Sequence, residues 1–180
     1  MTLGRTTTRA LITGAVLLAM TLAGCTAAST TTTAVVSTGP SRPPACQTAI
    51  DNLKSASKQA SQDSSAFTDA LDTALAQTFT QRDWSILAAP ATDEASSNAT
   101  LSAAYRALAA VTTPDYESAA TAAADALDRL DFELGRIPAA VAGPMAGQGA
   151  AIDVVNDAIT PASSAIEAAS SLASSEDICS

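Results

Sequence analysis

Between positions 46 and 180 the apolar residues recur at steps of three and four, and no segment of comparable quality shows the step of two that a half-buried strand needs. Steps of three and four place side chains on one face of a 3.6-residue turn, so this chain can bury its apolar atoms only by stacking helices on one another. The first stripe is Ile50, Leu53, Ser57, Ala60, Ser64, Phe67, Leu71 and Ala74. It predicts a long helix, loosened around Asp63-Ser64-Ser65. Phe79, Trp84, Ile86 and Leu87 follow as a less regular connection ended by Pro90. A second helix of about 20 residues is predicted from Thr92-Asp93-Glu94, where a capping side chain and two acids suit the positive end of the helix dipole. It carries Leu101, Ala104, Leu108 and Val111 on one side.

The clearest boundary is Thr113-Pro114-Asp115-Tyr116-Glu117. Thr can cap, Pro is pre-set for the first helical turn, and the acids again match the dipole. The third stripe runs through Tyr116, Ala120, Ala123, Leu127, Leu130, Leu134 and Ile137. Pro138 and the stretch from Gly143 to Gly149 read as a turn. The fourth helix presents Ile152, Val155, Ile159, Ala162, Ile166 and Ala169, with a kink or a restart capped by Thr160 expected at Pro161. The expected fold is all-α, an up-down four-helix bundle, with short links putting the start of the first helix and the end of the fourth at one end.

The bundle begins at Cys46; before it, Thr26 to Ala45 holds nine Ser or Thr, three Pro and one charge. Such a segment cannot bury enough apolar surface to fold, and it reads as a flexible tether. Twenty flexible residues span about 25 Å, enough to lift a domain clear of a membrane surface. Ser/Thr-rich, Pro-punctuated spacers are also attachment sites for sugars.

Upstream, Arg5 and Arg9 precede an apolar run from Ala10 to Leu22, followed by Ala23, Gly24 and Cys25. The run has 13 residues, against about 20 for a bilayer-crossing helix, so it reads as a removable signal. Leu22-Ala23-Gly24-Cys25 resembles the lipobox of bacterial lipoproteins. The resemblance covers the first 25 residues, and it implies that the Cys25 sulfur carries a diacylglyceryl group with palmitate-type chains. It also implies that residues 1–24 are removed by a peptidase, and that residues 25–45 become the lipidated linker to a domain at 46–180. Two acyl chains suffice for stable anchoring, where one chain binds only marginally. The expected location is the extracytoplasmic face of the cell membrane. In a two-membrane cell an outer membrane is the alternative address, because Thr26 follows Cys25 and does not resemble the Asp of the usual inner-membrane retention signal.

Loss of Arg5 and Arg9 takes the formal net charge from −9 to −11. A surface of that sign repels phosphate backbones and anionic headgroups, which excludes nucleic acid as a partner and leaves the lipid as the membrane attachment. With Cys25 acylated, Cys46 and Cys179 remain, an even count in an oxidising compartment, and they are expected to pair. A bridge at the shared end of the bundle would close a loop of more than 100 residues, for about 4 kcal/mol or more in the chain-entropy picture.

The chain contains no His, which excludes Ser-His-Asp and Cys-His catalysis and the His-containing zinc, di-iron and haem ligand sets. Gly143, Gly147 and Gly149 lack the strand that precedes a phosphate or dinucleotide loop. Ser55-Ala56-Ser57-Lys58 has the Ser-x-x-Lys spacing of penicillin-interacting enzymes, but no Lys-Thr-Gly or Ser-Asp-Asn accompanies it, and Ser55 and Lys58 point away from the apolar stripe. The acidic pairs Asp69/Asp72, Asp125/Asp128 and Asp153/Asp157 also fall on outer faces and read as solvated surface, with Asp125 and Arg129 spaced for an i,i+4 ion pair. Neither a metal nor a cofactor is expected. Trp84, Tyr105 and Tyr116 are the candidates for a contact surface, since aromatics concentrate at binding hot spots. The functional expectation is a non-enzymatic, lipid-anchored binding or interaction domain for an envelope protein. The alternatives are a carrier of a hydrophobic ligand in a bundle cavity, or a phage-type exclusion lipoprotein, which shares only the layout of anchor plus small domain.

Overall fold

A computed structural model describes residues 43–78, 81–143, 145–175 and 178–179. The lipobox with Cys25, the tether up to residue 42, and Phe79 lie outside the described residues. The described part is all-α. Its long helices are α1 (Pro44–Ala76), α2 (Ala88–Ala109), α3 (Pro114–Leu134) and α5 (Met145–Ser175), with a short α4 (Ile137–Val141) between α3 and α5. No helix among the described residues is long and apolar enough to cross a membrane.

The helix ends differ from the periodicity reading in ways that have local causes. α1 is continuous through Asp63-Ser64-Ser65, where Ser65 and Thr68 turn their hydroxyls back onto the carbonyls of Ser61 and Ser64. α2 starts at Ala88, directly after a 3₁₀ turn at Trp84–Leu87, and not at Thr92. Pro90 is the third residue of that helix, where a backbone N–H has no intrahelical acceptor, so the ring costs no hydrogen bond. Val111 lies beyond the last turn of α2 and is exposed, while Leu101, Ala104 and Leu108 are buried.

α3 starts with Pro114 in its first turn and Asp115 and Glu117 behind it, although the Thr113 side chain makes no capping bond. It stops at Leu134. Gly135 and Arg136 bond back to the carbonyls of Asp131 and Glu133, and the buried Ile137 belongs to α4, with Pro138 in its first turn. The expected turn at 143–149 is shorter than the sequence suggests, because α5 is already helical from Met145. α5 continues through Pro161 without a restart. Pro161 is exposed, so solvent can satisfy the carbonyl that its ring leaves unpaired.

α2 packs against α1 and α3, and α3 packs against α5; α1 and α5 make almost no close backbone approach. Ala120, Ala123 and Ala124 are completely buried on α3, and side chains this small let the central helices approach closely. The core divides into two apolar clusters. One joins Cys46 to Ala60 of α1, Leu101 to Ala109 of α2, Tyr116 to Leu127 of α3, and Ile166 onward of α5. The other joins Phe67 and Leu71 of α1, Ala91 and Ala95 of α2, Leu130 and Leu134 of α3, and Ile152 to Ala162 of α5.

Candidate functional site

The seam between the two clusters is polar on one side. Along α1 the passage from Ala60 to Phe67 crosses Ser61 and Ser64, and along α2 the passage from Ala95 to Leu101 crosses Ser97 and Asn98. Counting back from Leu101 in steps of three and four reaches Asn98, Glu94 and Ala91, so Glu94 and Asn98 occupy positions where a buried helix face ordinarily carries apolar residues. Both are only 5% exposed.

At this seam, between α1 and α5, is a cavity of about 100 Å³. Ser57, Ser61, Ser64 and Thr68 line it from α1, and Glu94 and Asn98 from α2. The opposite walls are mainly apolar: Leu127 and Leu130 of α3, and Ile159, Ala162 and Ile166 of α5, with Ser163 of α5 the one polar residue on that side. Three polar atoms at the site have no hydrogen-bond partner within the protein, namely Oε2 of Glu94, Nδ2 of Asn98 and Oγ of Ser57. Unmade hydrogen bonds of buried groups cost about 1–3 kcal/mol each, which makes three at one seam an expensive arrangement for packing alone.

Burial pushes the Glu94 carboxyl up from its ordinary 4.5 to about 7. The Ser64 hydroxyl opposes the rise by bonding to the carboxylate, and the negative charge of Asp63 adds to it. The cavity therefore holds a carboxyl that changes charge near neutrality, with no cation among its lining residues. What the arrangement can do is hold a molecule by complementary hydrogen bonds against an apolar wall.

The aromatic residues singled out from the sequence do not form a surface together. Tyr105 and Tyr116 are 1% and 2% exposed and belong to the core around the Cys46 end, so neither is available to a partner. Burial raises both phenols, that of Tyr116 to about 12. Trp84 stands apart in the 3₁₀ turn, half-buried against the second cluster. The Arg82 guanidinium lies 5.2 Å from its ring centroid. Asp83 holds the turn by accepting from the Ser85 N–H and hydroxyl at 2.9 and 2.6 Å.

Cys46 and Cys179 are joined by a disulfide with a Cα–Cα distance of 6.0 Å. Beside them the Thr113 N–H donates to the Ile178 carbonyl at 3.3 Å, tying the chain end to the α2–α3 connection. Ser55 and Lys58 are exposed on α1, and the acidic pairs lie on the outer faces. Asp125 does not pair with Arg129. It accepts from Nη2 of Arg106 on α2 at 2.9 Å, and Asp128 accepts from the same guanidinium at 2.7 Å. The buried Ser102 hydroxyl donates to Asp128 and accepts from Arg106. Those bonds, Arg106 first and then Ser102, hold the Asp128 carboxyl below the ordinary carboxylate range. With its hydroxyl bonded in this way and only 1% exposed, Ser102 acts as a clamp between α2 and α3 and not as a nucleophile.

The helix-start composition of Thr92-Asp93-Glu94 masks the cavity at the level of sequence. The signal that would have found it was present: Ser57 and Ser64 interrupt the first apolar stripe, and Glu94 and Asn98 extend the second. No known protein family matches the chain, and neither a curated protein nor a solved structure matches it.

Proposed function

We propose that the protein is a lipid-anchored extracytoplasmic lipoprotein whose helical domain works by binding and not by catalysis. The anchor rests on Leu22-Ala23-Gly24-Cys25 with the charged and apolar segments before it. The binding role rests on the cavity between α1 and α5, where buried polar atoms with unused hydrogen-bonding capacity face an apolar wall. Among binding roles, this observation favours an enclosed small ligand over a flat protein interface, since pockets of mixed lining with a few convergent polar groups are the usual form of ligand sites.

An up-down order of the four long helices fits the way each helix meets the two core clusters. α1 and α3 run from the Cys46 cluster to the other, whereas α2 and α5 run the opposite way. In that arrangement α1 begins at the disulfide-linked end, and the cavity sits halfway along the bundle.

Globomycin, which blocks lipoprotein signal cleavage, should cause the longer precursor to accumulate, and Cys25→Ser should abolish incorporation of labelled palmitate. Cys25→Ser protein that still incorporates palmitate would overturn the anchor. Native mass spectrometry of protein extracted from its membrane should show a bound small molecule. A folded protein that is always empty would overturn the ligand role and leave the anchor standing.

A further inference from the structure

The polar atoms of the cavity specify more than a greasy hole. Glu94 and Asn98 are one turn apart on α2, so their side chains start about 5–6 Å from each other. Each nonetheless keeps an unpaired atom, an acceptor-capable carboxyl oxygen and an amide donor. A single ligand group that both donates and accepts satisfies the two together. An ammonium group has no lone pair for the Asn98 amide, and a carboxylate has no proton for Glu94 once that carboxyl ionises. A hydroxyl or a primary amide has both.

Charge leads to the same class. Burial and Asp63 keep the Glu94 carboxyl neutral through mildly acidic pH, so a cation would find no counter-ion there, and no basic residue lines the cavity to receive an anion. A hydroxyl remains suited when the carboxyl ionises, because it then donates to Glu94 while still accepting from Asn98. Water alone satisfies only one edge of the space. A buried water needs about two to four polar partners; Leu127, Leu130, Ile159 and Ile166 provide none, and Ser163 is the one polar lining residue on the α3 and α5 side.

We propose that the cavity between α1 and α5 binds a small uncharged amphiphile, with a hydroxyl or primary-amide head between Glu94 and Asn98 and an apolar body against α3 and α5. At about 100 Å³, against about 150 Å³ for an engineered apolar cavity that holds benzene, the space limits the ligand to about six heavy atoms or fewer. This inference rests on the binding role proposed above and names its ligand class.

The test uses four probes with the same five-carbon ring: cyclopentanol, cyclopentane, cyclopentylammonium and cyclopentanecarboxylate. Each is titrated into the full-length chain carrying Cys25→Ser, which removes any competing acyl chain, and the methyl NMR signals of Leu101, Leu127 and Ile159 are followed. Cyclopentanol should bind roughly tenfold tighter than cyclopentane, as expected when a buried donor and acceptor are satisfied or left unmade. It should also bind more tightly than either charged probe. The margin over cyclopentane should survive in Glu94→Gln, whose amide still donates and accepts, and vanish in Glu94→Leu/Asn98→Leu. Cyclopentane binding as tightly as cyclopentanol, or the ammonium binding best, would overturn the head-group assignment but keep a ligand cavity. If no probe shifts the methyl signals of the folded protein, both the assignment and the ligand role fall. The wild-type ranking alone decides if a variant fails to fold.

Discussion

Cys46 and Cys179 stand 133 positions apart in the sequence and 6.0 Å apart at their Cα atoms. The bond ties the first turn of α1 to the segment after α5, although the backbones of α1 and α5 make almost no close approach. It therefore closes the one side of the domain that backbone packing leaves open, on the side where the cavity lies.

Reducing this bond should be costly. In the chain-entropy picture a loop of this length contributes about 5 kcal/mol, and native disulfides of small secreted domains typically contribute 2–5. Cys46→Ser/Cys179→Ser, or wild type in dithiothreitol, should unfold about 10–15 °C lower in a thermal scan followed by circular dichroism. An unchanged Tm on reduction would contradict a closing role for the bond.

Glu94 should make stability fall as pH rises through neutrality. Its carboxyl titrates at about 7 in the folded protein against 4.5 ordinarily. Below 4.5 both folded and unfolded chains hold the proton and the group contributes no difference. Between the two values the unfolded chain releases a proton that the folded chain keeps, and above about 7 the full cost of about 3 kcal/mol is present. Glu94→Gln should accordingly match wild type in urea unfolding near pH 4 and exceed it by up to that amount at pH 8. The difference between the two proteins isolates Glu94 from the carboxylates that titrate the other way, such as Asp128. A variant no more stable than wild type at pH 8 would show that the carboxyl is solvated and not buried.

In the Ser102, Arg106 and Asp128 cluster, the buried hydroxyl should matter more than the guanidinium. Arg106 and Asp128 have side chains about half exposed, and exposed ion pairs are worth about 0–1 kcal/mol. Ser102 is enclosed and bonds to both of them as well as to the Ala124 carbonyl at 3.2 Å. Ser102→Ala should lower urea-unfolding stability by about 1–2 kcal/mol, and Arg106→Met by less than 1. The reverse ranking would mean that the exposed pair, not the hydroxyl, joins α2 to α3.

The helical class and most of the core were legible in the sequence because a 3.6-residue period records which side of a helix is dry. Tyr116, Ala120, Ala123, Leu127, Leu130 and Leu134 are all buried as their spacing predicts. What spacing does not record is which neighbour a side chain meets. Asp125 has Arg129 one turn away on its own helix, yet it pairs with Arg106 on the next, a contact that only packing of α2 on α3 creates. The start of α2 departs from its composition signal for a related reason. Thr92-Asp93-Glu94 has the composition of an N-terminus, but burial against α1 recruits Glu94 into the interior and lets α2 begin a full turn earlier, at Ala88. The same shift conceals the cavity from spacing alone, since a carboxyl at a helix end is ordinarily solvated.

The cavity also predicts opposite outcomes for one substitution made at two buried alanines. Ala123 is completely buried within the Cys46 cluster on α3 and does not line the cavity, so added methyl groups must displace packed neighbours. Ala123→Leu should cost about 1–3 kcal/mol, the usual penalty of overpacking. Ala60 is also buried, but it lines the cavity. There a larger side chain extends into existing space beside Leu101 and Leu127, gaining about 25 cal/mol for each Å² of apolar surface it removes from water. Ala60→Leu should be neutral or stabilising in urea unfolding, and it should abolish cyclopentanol binding by occupying the site. If Ala60→Leu proved as damaging as Ala123→Leu, the space between α1 and α5 would be filled in solution, and the basis for a ligand there would be lost.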